Sequence, residues 1–84
     1  KPRYFVDIIN CCIELSQFDK AEELCNKFIE RHPRSERSYL MKSKLYYALK
    51  NNEKFTKTLN EIKLLGIKLS NKGLNIIRFW LEET

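Results

Sequence analysis

Five successive stretches of this 84-residue chain carry apolar residues three and four positions apart, and only a few residues separate one stretch from the next. That spacing lines up on one face of an α-helix and does not fit the two-residue alternation of a half-buried strand. Connections so short leave consecutive helices side by side and antiparallel, as a row of helical hairpins. The chain also has only two Gly and two Pro, too few for the turns that an all-β fold of many short strands requires. The sequence therefore predicts an all-α domain of about five helices stacked as antiparallel hairpins.

Phe5, Ile8, Ile9, Cys12, Ile13 and Leu15 make the stripe of the first helix, with Pro2 at its start, where a missing N–H is no loss. Ser16-Gln17-Phe18 breaks it. Asp19 is expected to cap a second helix lined by Ala21, Leu24, Cys25, Phe28 and Ile29. His32-Pro33 ends that helix, because proline disfavours helical backbone in the residue before it. Ser35 is expected to cap a third helix bearing Tyr39, Leu40, Leu45, Tyr46 and Leu49, and Asn51-Asn52 marks the next turn. Phe55, Leu59, Ile62 and Leu65 stripe a fourth helix, with Gly66 where a left-handed C-cap belongs. After a loop over 67–70, Leu74, Ile76, Ile77, Phe79, Trp80 and Leu81 form a fifth helix, apolar around more of its circumference than a solvent-facing helix should be. The predicted core is Phe5, Ile8, Cys12, Ala21, Leu24, Cys25, Phe28, Tyr46, Leu59 and Ile62, with Ala21 at the close crossing of the first two helices.

The size fits one domain and disfavours a roomy internal cavity. No apolar run reaches the roughly 18 to 20 residues of a membrane span, and no cleavable leader is visible, so no membrane insertion is expected. Because the chain begins Lys1-Pro2 without an initiator Met, it reads as a piece excised from a longer protein. Charge is unevenly spread: five basic and six acidic residues occupy 1–33, whereas eleven basic and five acidic residues occupy 34–84.

Few residues offer catalytic or metal chemistry. Cys11, Cys12 and Cys25 with His32 lack any Cys-x-x-Cys pair, and adjacent Cys11 and Cys12 point about 100° apart on a helix, so zinc is not expected. A Cys25/His32 dyad fails because seven helical residues separate the two by roughly 10 Å. The three cysteines read instead as buried, reduced thiols filling core positions, which favours a reducing, cytoplasmic setting. No carboxylate pair is placed for acid/base work and no phosphate-binding glycine loop occurs. The expectation is a non-enzyme without cofactor or metal. The basic residues of the second part, Lys42, Lys44, Lys50, Lys54, Lys57, Lys63, Lys68, Lys72 and Arg78, are scattered singly over the helices, the pattern of solvated faces more than of a nucleic-acid footprint.

A shift of 34 residues superposes Phe5 on Tyr39, Cys12 on Tyr46, Ile13 on Tyr47 and Leu15 on Leu49. This is the period of tetratricopeptide repeats, and Phe5, Ile8, Ile9, Cys12, Ala21, Cys25 and Pro33 take the repeat's signature positions in the first unit. Tyr39, Lys42, Ser43, Tyr46, Thr58 and Ile62 take them in the second, with Lys42 in place of a leucine and about three extra residues in the turn. The chain resembles a degenerate tetratricopeptide-repeat domain, with a first repeat over 1–33, a second over 34–69 and a closing helix over 70–84.

The resemblance implies a scaffold whose first helices of successive repeats line a groove for a partner's peptide or helix. Carried over by position, the groove residues would be Arg3, Val6, Asn10 and Ile13, then Arg37, Leu40, Lys44 and Tyr47. Cationic donors beside apolar contacts suit an acidic segment. Val6 and Lys44 depart from the residues with which some members grip a terminal carboxylate, leaving Asn10 alone in agreement. Two other readings are a helical regulatory or nucleic-acid-associated domain using the basic second part, and a packing domain of a larger enzyme. Ile76, Phe79 and Trp80 form an expected docking face, directed at flanking parts of the parent chain.

Overall fold

In a computed structural model, which describes residues 2–83, the chain forms α1 (Pro2–Glu14), α2 (Phe18–Arg31), α3 (Glu36–Ala48), α4 (Asn52–Leu64) and α5 (Asn71–Glu83). Among the described residues there is no strand, and no helix is long and apolar enough to cross a membrane. The expectation built on Lys1 lies outside the described residues.

Three turns between helices are closed in the same way. Ser16, Lys50 and Gly66 adopt left-handed backbone, with φ of 59°, 57° and 67°. The next amide in each case reaches back to the last helical turn: Gln17 N–H to the Cys12 carbonyl, Asn51 N–H to that of Tyr46, and Ile67 N–H to that of Ile62. This is the Schellman closure, and at Gly66 it costs nothing because glycine has no Cβ to clash. Ser16 and Lys50, one 34-residue period apart, adopt it without that freedom.

The expected N-caps are only partly realised. Asn51 caps α4, its side-chain oxygen accepting from Lys54 N–H at 3.1 Å. Asp19 does not cap α2, which begins a residue earlier at Phe18, and Gln17 in the cap position makes no side-chain bond. Ser35 sits at the start of α3 but its hydroxyl does not cap it. Ser38 binds there instead, donating to the Ser35 carbonyl at 2.8 Å from a buried position.

α3 is the hub. It packs against α1, α2, α4 and α5, whereas the backbone of α5 closely approaches α3 alone. The result is one row of α1, α3 and α5, with α2 packed behind α1 and α3 and α4 behind α3.

Ile9, Ala21, Cys25, Phe28 and Leu45 are completely inaccessible at the centre of the core, and each large apolar side chain so buried contributes roughly 1.5 to 3 kcal/mol. Phe5 stacks on Phe28 with centroids 4.9 Å apart, and His32 meets the Phe28 ring edge-on. Of the predicted core, Cys12, Ala21, Cys25, Phe28, Tyr46 and Ile62 are buried, while Phe5, Ile8, Leu24 and Leu59 are half-buried against it. Cys11 is a correction: it is exposed, because it falls on the outer side of α1 while its neighbour Cys12 faces the core.

Polar groups near the core are paired. Lys42, where the repeat pattern has leucine, reaches Glu61 of α4 at 3.3 Å. Tyr46 donates its phenolic hydrogen to Glu22 Oε2 at 2.6 Å, and Lys54 lies 3.8 Å from the same oxygen and over the Tyr46 ring.

Candidate binding groove

The row α1, α3, α5 presents one concave surface, and two polar links hold its helices in register. Lys44 Nζ of α3 donates to Asn10 Oδ1 of α1 at 2.6 Å, across 34 residues. Glu36, at the start of α3, accepts through Oε2 from the backbone N–H of Ser70 at 2.7 Å and from its hydroxyl at 2.9 Å, again across 34 residues.

The second link explains how α5 begins. Ser70 Oγ accepts from the Gly73 N–H at 3.1 Å, as a helix N-cap does. In a capping box the residue at this third position would be Glu or Gln, reaching back to the cap's own N–H. Here that position is Gly73, and the carboxylate arrives from another helix. A Cβ on Gly73 would collide with Glu36 Oε2 and stand 3.4 Å from Leu40 Cδ1.

An open groove of about 1140 Å³ runs over this surface. α1 contributes Arg3, Val6, Asp7 and Asn10, and α3 contributes Glu36, Arg37, Leu40, Met41 and Lys44. Lys72, Gly73, Asn75, Ile76, Phe79 and Trp80 of α5, with Ser70 before it, complete the wall. The apolar floor is thus concentrated between α3 and α5, and its cations stand around it.

Of those charges, Asp7 lies 3.9 Å from Arg3 in an exposed pair of little energetic consequence. Glu36 is engaged by Ser70. Among the described residues Arg37 and Lys72 have no hydrogen-bonding or ionic partner, and Lys44 has only the neutral Asn10. The groove therefore holds positive charge that its own carboxylates do not neutralise.

Six of the eight residues assigned to the groove by position line it: Arg3, Val6, Asn10, Arg37, Leu40 and Lys44. Ile13 and Tyr47 do not. Ile13 is half-buried against the core, and Tyr47 turns toward α5, where its ring stacks on Trp80 at 5.7 Å. The assigned docking face divides likewise. Trp80 is only 9% exposed, packed between Tyr47 and Phe55, so it belongs to the core with just an edge toward the groove; Ile76 is half-buried, and Phe79 is 58% exposed at the rim.

Sequence reasoning did not single out Asp7, Glu36, Met41, Ser70, Lys72, Gly73 or Asn75, and it assigned Ile76, Phe79 and Trp80 to a docking face and not to this groove. For α5 the 34-residue shift itself misleads. Applied to Arg37, Leu40 and Lys44 it gives Asn71, Leu74 and Arg78, whereas Lys72, Ile76 and Phe79 face the groove. Glu36 pairs with Ser70, its counterpart one period on, a relation that the 34-residue shift contained but that was not drawn from it.

The groups whose acidity is shifted lie on the far side of α3. Burial pushes the Cys25 thiol up to about 12. Burial also raises Tyr39 and Tyr46, the latter further through its bond to Glu22. These groups serve the packing of α2, α3 and α4, and the groove itself offers donors and apolar area. The chain matches no protein-family model, no curated protein and no solved structure.

Proposed function

We propose that the chain is a tetratricopeptide-like interaction module, two repeats and a closing helix, whose groove over α1, α3 and α5 takes an acidic peptide or helix of a partner protein. The observation that carries this reading is the placement of Arg37 and Lys72, unpaired among the described residues, beside the apolar Leu40, Ile76 and Phe79. Arg and Lys side chains recognise carboxylates, and an apolar floor beside them supplies area and excludes water. Support for the repeat assignment comes from the contacts that recur across 34 residues, Asn10 with Lys44 and Glu36 with Ser70.

The test is titration of the isotope-labelled chain with an extended peptide rich in Asp and Glu that carries one Leu or Phe anchor. Read from the resonances of α1 and of Glu36 to Lys44, Arg37→Glu and Lys44→Glu should each weaken binding about tenfold, and Lys63→Glu, on α4 and away from this groove, should leave binding there unchanged. A nucleic-acid surface would instead lose similar affinity for every lysine removed and would weaken steeply with salt. Equal losses at Lys44 and Lys63 would sink the groove reading.

A further inference from the structure

A second groove, of about 340 Å³, opens on the other side of α5, between α5, α4 and the 65–70 loop. Its walls are Leu59, Ile62, Ile67, Leu69, Leu74 and Ile77, and its only polar lining residue is Lys63. The groove exists because α4 and α5 do not close on one another: their backbones make no near approach, and Phe55 against Trp80 is the side-chain bridge between them. α3, by contrast, has α2 and α4 packed against it. Leu74, one of the lining residues, is 44% exposed.

The edge of this surface is cationic. Lys63 lines the groove, Lys68 stands between the lining residues Ile67 and Leu69, and Arg78 follows Leu74 by one helical turn. None of the three charged side chains has a hydrogen-bonding or ionic partner among the described residues. The nearby Glu61 is occupied by Lys42.

We propose that this second groove docks an amphipathic helix of a partner protein, with an apolar stripe seated between α4 and α5 and carboxylates along its edges. A gap between two helices accepts the side-chain ridge of a third, read as anchors at i, i+3 or i+4, and i+7. The lining residues span about one helical turn of each wall, Leu59 to Lys63 on α4 and Leu74 to Ile77 on α5, so the groove seats one or two of these anchors. Unpaired Lys63, Lys68 and Arg78 select acidic flanks. The same charges disfavour a second copy of this chain across a two-fold axis, which would bring like-charged edges together. This groove shares only α5 with the groove over α1, α3 and α5, and it can take its occupant whether or not the other is filled.

The probe is a designed helical peptide of about 18 residues with a Leu stripe, made once with Glu flanks and once with Lys flanks. The Glu-flanked form should bind and shift amide resonances of α4, of 65–70 and of Leu74 and Ile77, and the Lys-flanked form should bind at least about tenfold more weakly. Lys63→Glu/Lys68→Glu should reverse that preference as read from the resonances of 65–70 and of Leu74 and Ile77, and Arg37→Glu should leave the peptide-induced shifts of those same residues unchanged. Leu74→Glu, at an exposed position that leaves the fold intact, should abolish binding of both. Equal affinity for the two peptides, shifts confined to α1 and α3, or no binding at millimolar peptide would overturn the proposal. So would a concentration-dependent dimer in sedimentation that Leu74→Glu disperses, since it would assign the surface to a second copy.

Discussion

Gly73→Ala in an ordinary helix would raise stability by about 0.5 to 1 kcal/mol, because alanine loses less backbone freedom on folding than glycine. Here the opposite is expected. The new methyl would occupy the place of the Glu36 carboxylate, whose Oε2 holds both the N–H and the hydroxyl of Ser70. Turning Glu36 aside forfeits two hydrogen bonds to a charged acceptor, each worth about 1.5 to 3 kcal/mol at most and less at this exposed site. Keeping Glu36 in place forces α5 away from Leu40. Either way the loss outweighs the helix-propensity gain, and a net destabilisation of about 1 to 2 kcal/mol follows, about 4 to 16 °C in melting temperature for a domain of this size. The decisive comparison is a double-mutant cycle. In a Glu36→Ala background the obstruction is gone, and Gly73→Ala should become stabilising. Circular dichroism gives the stability of each variant, and the fluorescence of Trp80, the single tryptophan, reports whether α5 stays docked. A higher melting temperature for Gly73→Ala in the otherwise unchanged chain would refute the argument.

Two further outcomes follow from the core. Ala21, fully buried in α2, leaves no room for a ring, so Ala21→Phe should cost about 1 to 3 kcal/mol by overpacking; an unchanged urea midpoint would show the packing there to be loose. The buried Cys25 thiol, pushed up from an ordinary value of 9.0 to about 12, binds its proton more tightly folded than unfolded. Its contribution is therefore constant below pH 9 and falls as pH rises from about 9 to 12, by up to ~1.4 kcal/mol per unit. Tyr39 and Tyr46, also raised, act in the same direction above pH 10. Urea melts from pH 8 to 10.5 should show the decline, and Cys25→Ala should flatten it; identical slopes for the two proteins would rule out the thiol.

The helices were legible because each carries apolar residues at the 3.6-residue period, although α3, packed against four neighbours, is buried around more of its circumference than its stripe indicates. Glycine, proline and asparagine placed the ends of α2 and α4 for the same local reason. Caps were less legible. Asp19 and Ser35 have the right chemistry, but the chain at α2 begins its helix a residue early, and at α3 the Ser35 hydroxyl accepts no helix amide, while the buried Ser38 donates to the Ser35 carbonyl. The surplus of apolar residues in α5 was visible, yet its division was not. Trp80 is satisfied by Tyr47 and Phe55, whose approach depends on tertiary packing, and the remainder splits between two grooves. The α5 register escaped because the period that holds for Asn10 and Lys44 does not carry over to the face that α5 turns to the groove.

α5 is the shared wall of both grooves, and its backbone is held closely by α3 alone. Its undocking is therefore the least costly sub-global opening of the domain, and its amides should exchange with solvent through that opening while those of α3 wait for global unfolding. Any occupant that needs α5 in place contributes to closing it. Two such occupants, one in each groove, would then be linked without touching: each would tighten the other by the same factor, and that factor can be no larger than the fraction of molecules in which α5 is undocked allows.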